Sequence, residues 1–165
     1  METTITNGTL KVNITEHCIL NGQNQGTSNS FSISSIDEIF KRIVTCPANS
    51  ETTVMMFHSS VADGTLSPLD IQDVRYLRIT NKDASEACTI SLQVDVGEDD
   101  SAADESGSIR LQPYQSFVMG NPEDGIGVFD TNANLVTDLQ DLESIVVFTG
   151  SNTVDVEVFV ASVSS

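Results

Sequence analysis

Between Thr89 and Val96 the chain alternates apolar and polar residues without interruption: Ile90, Leu92, Val94 and Val96 fall on one side, Thr89, Ser91, Gln93 and Asp95 on the other. Successive side chains of a strand point to opposite faces, so this is the pattern of a half-buried β-strand. The preceding run, Val74 to Thr80, is apolar on both sides, with Leu77 and Ile79 on one face and Val74 and Tyr76 on the other. That predicts a strand covered on both faces. Asn81, Lys82 and Asp83 supply turn chemistry between the two runs, because Asn and Asp side chains bond nearby backbone. A central antiparallel hairpin is expected. Arg75 and Arg78 fall on opposite faces of its first strand, and an interior position obliges at least one of them to find a carboxylate or carbonyl partner.

The same reading carries along the rest of the chain. Thr9 to Thr15 alternates, with Leu10, Val12 and Ile14 inward. Cys18 to Leu20 adds a short apolar run, and Asn21-Gly22 signals a tight reversal. Gln23 to Ser30 reads as a polar loop before a strand at Phe31 to Ile33. Two periods compete in Ser34 to Cys46: Ile36, Ile39, Phe40 and Ile43 sit at helical spacing, whereas the β-branched run Ile39 to Thr45 and the following Pro47 favour an extended chain. The reading taken is a strand preceded by a turn. Further strands are expected at Thr52 to His58, Ser108 to Leu111, Ser116 to Met119, Glu143 to Thr149 and Thr153 to Ala161. In the last of these Val154, Val156, Val158 and Val160 oppose Asp155, Glu157, Phe159 and Ala161. Val61 to Asp73, Gly97 to Gly107 and Asn121 to Asn134 read as loops, the second of them acidic and solvent-exposed. About nine short strands with little helix predict a single-domain, all-β antiparallel sandwich, jelly-roll-like, over 9–165, preceded by a flexible N-terminal arm at 1–8.

Charge narrows the function. The 165 residues hold 24 acidic and 7 basic side chains, a formal net charge of −17. Phosphate backbones are bound by Lys and Arg, so nucleic acid is excluded as an expected partner. No basic start precedes an apolar run, and no apolar run nears the ~18 residues of a membrane span, so neither a secretory signal nor membrane insertion is expected. Cys18, Cys46 and Cys88 are odd in number and without paired spacing, and are expected as buried, reduced thiols.

Motifs of catalysis are missing. His17 and His58 lack companions at the spacing that metal binding or nucleophilic catalysis needs. Asp130, Asn132, Asn134, Asp138 and Asp141 occupy positions of an EF-hand-like loop, but Leu135 replaces its glycine and an Asp replaces its bidentate Glu. No metal, cofactor or catalytic residue is therefore predicted. The absence of Trp and the 5% aromatic content argue against a sugar-binding cleft.

Taken in order, Thr15-Glu16 with Leu20-Asn21-Gly22, Arg42-Ile43-Val44 before Pro47, Arg75-Tyr76-Leu77-Arg78-Ile79-Thr80-Asn81, and Val156-Glu157-Val158-Phe159-Val160-Ala161 resemble small structural proteins of tailed bacteriophages, particularly those of marine hosts such as cyanobacteria. The similarity spans nearly the whole chain. It implies a non-enzymatic β-sandwich subunit of the virion, usually trimeric when it decorates a capsid, with the major capsid protein or other virion proteins as partners. A capsid decoration or cement protein is the first expectation, and a tail or neck subunit the second. A carbohydrate- or receptor-binding sandwich is the rival from another class. The arm Met1 to Gly8 and the loops Asn21 to Ser30 and Val61 to Asp73 are the expected contact elements.

Overall fold

A computed structural model describes residues 7–57, 69–94, 105–123, 125–126 and 142–163. Twelve strand segments follow in chain order: β1 Gly8–Thr15, β2 Ile19–Leu20, β3 Gln23–Asn24, β4 Ser28–Ile36, β5 Glu38–Cys46, β6 Glu51–Met56, β7 Val74–Asn81, β8 Cys88–Val94, β9 Glu105–Leu111, β10 Ser116–Gly120, β11 Leu142–Thr149 and β12 Val154–Ser162. A 3-10 turn, Ile71–Asp73, leads into β7. The fold is an all-β sandwich. One sheet runs β10-β7-β12-β5 and the other β6-β11-β8-β9, with every pairing antiparallel. We call them sheet I and sheet II.

Alternation decides which side chains meet between the sheets. From sheet I come Val154, Val156, Val158 and Val160 of β12, with Leu77 and Ile79 of β7; from sheet II come Ile90 and Val94 of β8, with Ile145 and Val147 of β11, all in one buried cluster. Val74 joins this cluster as well, because the β7–β12 register shifts between Ala161 and Ser162 and a bulge reverses the side to which a residue points. Tyr76 is left on the outer face, in a second, smaller cluster with Ile33, Ile36 and Ala161. The expected double cover of β7 is therefore present, with sheet II inside and the β1–β4 pair outside.

Several expectations are corrected. β7 and β8 do not pair: β7 lies between β10 and β12, β8 between β11 and β9. Alternation assigns faces, not neighbours, and residues 82–87 cross from one sheet to the other. Among successive strands from β5 to β12, only β8 and β9 pair directly. β9 starts at Glu105, opposite Val94, so the end of the expected acidic loop is strand. The polar stretch Gln23 to Ser30 contains β3 and the start of β4. Cys46 and Cys88 are buried but Cys18 is exposed, and all three are free. Leu69 and Ile71, expected in a contact loop, are core residues, as is Ile126. Gly8 already opens β1 opposite Ile36, while residues 1–6 of the expected arm lie outside the described residues.

Candidate functional site

Residues 8–36 form one long hairpin. Its register is constant from Leu10↔Ile33 to Thr15↔Ser28 and resumes unchanged at Ile19↔Asn24 and Leu20↔Gln23. The interval is bridged by Glu16 N–H donating to Thr27 O at 2.8 Å and Gln25 N–H to Cys18 O at 2.7 Å. Asn21 (φ 50°) and Gly22 (φ 78°) turn the tip in the left-handed region, as the Asn-Gly pair predicts. In the middle the strands come so close that a Cβ on Gly26 would stand 2.0 Å from the carbonyl oxygen of Glu16. Only glycine fits there. Asn24 Oδ1 accepts from Gly26 N–H at 3.0 Å, and the Thr15 and Ser28 hydroxyls are bonded at 3.1 Å.

The root of this hairpin lies on the outer face of sheet I. Leu10, Val12 and Phe31 pack there with Tyr76, Phe159 and Ala161. Gly120 leaves the room: a Cβ on it would come within 3.1 Å of both the Phe31 and Tyr76 rings. Beyond the root, cover ends. Ile14, predicted inward, is 50% exposed, and Ile19 and Leu20 are 57% and 60% exposed.

Between hairpin and sheet opens a groove of about 280 Å³, lined by Leu10, Lys11, Val12, Asn13, Tyr76, Arg78 and Phe159. Tyr76 and Phe159 meet edge to face with centroids 5.8 Å apart, and the Arg78 guanidinium lies 5.8 Å from the Phe159 centroid, within cation–π range. Arg78 donates to Glu157 Oε1 at 2.6 Å and to the Thr80 hydroxyl; Lys41 Nζ stands 3.6 Å from Glu157 Oε2. The hydrogen bond from Arg78, more than the surrounding cations, holds the Glu157 carboxyl below its ordinary range, against the opposing effect of desolvation. Burial pushes the Tyr76 phenol up. The sequence requirement on Arg75 and Arg78 is met twice, since Arg75 Nη1 donates to Gln72 O at 2.8 Å.

Chemically the surface offers binding groups. Six of the seven basic residues of the chain, Lys11, Lys41, Arg42, Arg75, Arg78 and Lys82, belong to the hairpin, to sheet I or to the residue next to it, and Arg110 alone lies in sheet II. Sequence reasoning missed the groove, because nothing in the pattern announces that β1 and β4 fold back over β7 and β12. The clue within reach was Lys11, a cation in an acidic chain on the strand that covers Arg78.

Of the residues weighed for chemistry, His17 is exposed on the hairpin, whereas His58 and the Asp130, Asn132, Asn134, Asp138 and Asp141 set lie outside the described residues. Among the described residues, no three His, Cys, Asp or Glu side chains come together as metal ligands would. No protein-family model matches the chain, and no curated protein matches it.

Proposed function

We propose that this chain is a non-enzymatic structural subunit of a virion: a capsid decoration or cement protein that binds the major capsid protein or other virion proteins on the outside of the head. The observation that carries the reading is the hairpin, a two-stranded element that runs out past the sandwich and leaves Ile14, Ile19 and Leu20 bare. Exposed apolar groups on an extended element are what a partner surface covers. Strand order supports it. From β5 to β12 the chain changes sheet at every step except β8 to β9, giving the order β10-β7-β12-β5 over β6-β11-β8-β9, which we read as a jelly roll, an architecture used by viral capsid and lectin domains. That support is fold-level analogy. The resemblance to phage structural proteins points the same way, and with it the reading places the protein in the virion.

Quantitative mass spectrometry of purified particles tests the proposal. A copy number on the scale of the shell's own subunits is expected. One on the scale of a single ring means a tail or neck subunit, and absence from particles ends the reading. The rival, a carbohydrate- or receptor-binding module, rests on the groove, where Asn13 beside Tyr76 and Phe159 combines polar and aromatic groups. Glycan-array binding lost on Phe159→Ala would favour it.

A further inference from the structure

Among the described residues, nothing covers the distal hairpin as the root is covered. Ile14 continues the face that Leu10 and Val12 bury, yet every residue from Asn13 to Ser30 is exposed except the half-buried Gly26. A two-stranded ribbon is marginally stable in water, and its outer backbone edges invite pairing. The same chain holds a second open feature of matching chemistry. β5 is an edge of sheet I, paired to β12 only. Its outward residues Ile39 and Ile43 stand opposite Ala161 and Glu157, on the face that carries the hairpin root, and are 57% and 56% exposed.

We propose that a second copy of this chain covers both: the distal hairpin of one copy lies along β5 on the outer face of sheet I of the next, setting Ile14 and Leu20 against Ile39 and Ile43. The inference rests on the reading that this protein works by assembly, and it names the occupant of the hairpin. Charge favours a second copy at this place. In the hairpin Lys11 and Glu16 cancel, and in β5 Glu38 against Lys41 and Arg42 leaves +1; of a total of −17, the rest of the chain therefore carries −18. Two copies repel over most of their surfaces and meet without repulsion where hairpin meets β5. The two patches differ, so the contact is head-to-tail and generates a ring or an open array, according to the rotation between copies.

Sedimentation velocity on the full chain, without particles, tests this with two variants, Ile19→Ser/Leu20→Ser and Ile39→Ser/Ile43→Ser, each checked for a single cooperative melt. The intact protein should sediment as an oligomer and each variant alone as a monomer. Mixed, the two should form a heterodimer and nothing larger, because one supplies the hairpin and the other the β5 face. Cys18, exposed beside the tip, gives an independent readout should a β5 variant fail to fold: a benzophenone attached there should cross-link to β5 of an isotopically labelled second copy. A monomeric intact protein, a heterodimer that does not form, or cross-links confined to one copy would overturn the inference. Monomers that still load onto particles would remove it and leave the virion reading standing; oligomers that never load would do the reverse.

Discussion

Asn81 is the side chain on which the chain's passage from one sheet to the other turns. It is fully buried at the end of β7. Its Nδ2 donates to Glu86 O at 2.8 Å and to Leu111 O at 3.3 Å, and its Oδ1 accepts from Asp83 N–H at 2.9 Å. One amide thereby fastens the crossing segment and ties sheet I to β9 of sheet II. Asn81→Ala removes all three bonds, and with a penalty of ~1–3 kcal/mol for each buried group left unpaired we expect a loss of about 3 kcal/mol in urea unfolding. The next residue-scale device is Asp83, whose Oδ1 accepts from Ser85 N–H and Glu86 N–H, both at 2.8 Å. These bonds hold its carboxyl below the ordinary range. Glu157 is lowered too, by Arg78. A carboxylate whose folded pKa is depressed stabilises the fold above its unfolded value, near 4.3 for Glu, and loses that contribution as pH falls through the folded value. Glu157→Gln should therefore cost about 1 kcal/mol at neutral pH, with the pair partly open to water. The gap from the parent protein should close below pH ~4, as paired urea titrations would show.

At the scale of elements, the legible part was facing and the illegible part was pairing. The valines of β12 and the apolar positions of β8 fall on the sides that alternation assigned, because a strand's period is fixed by its backbone. Asn21-Gly22 turns where its conformational preference demands. The β7–β8 hairpin failed because turn chemistry at Asn81 and Asp83 looks the same whether the chain reverses within a sheet or crosses between sheets. Ile14 failed because alternation says which way a residue points, not whether anything lies there, and the surface beneath the hairpin ends near Val12. The groove was invisible for the same reason: it needs β1 laid over β7 and β12. Two expectations follow from these placements. Val94→Asp and Val156→Asp put an unpaired carboxylate among fully enclosed aliphatic side chains and should abolish the cooperative melt. By contrast, joining Thr15 to Ser28 through a new Asn-Gly turn keeps the register and removes no buried side chain, so at dilutions where the parent protein is monomeric the melting temperature should move by no more than about 2 °C. A larger drop would mean that the distal hairpin supports the sandwich.

For the molecule as a whole, the dominant quantity is charge. At −17, repulsion among the carboxylates works against the compact state, while attractive pairs such as Glu157 with Arg78 and with Lys41 oppose it. Salt weakens both effects, and their sizes decide the sign. A partly exposed pair contributes about 1 kcal/mol or less. Repulsion is collective, and a compact chain of this length has a radius of gyration of about 15 Å. At ~0.01 M salt the screening length of ~30 Å exceeds that radius, so every carboxylate feels the others; at ~0.1 M the length falls to ~10 Å and only neighbours interact. Adding sodium chloride over this range should accordingly raise the melting temperature at pH 7. The rise should shrink as pH is lowered toward the isoelectric value of about 4.1, where net repulsion vanishes. Differential scanning calorimetry at the two salt levels, at pH 7 and near pH 4.5, separates the cases: a melting temperature that falls with salt at pH 7 would mean that ion pairs outweigh repulsion in holding this sandwich together.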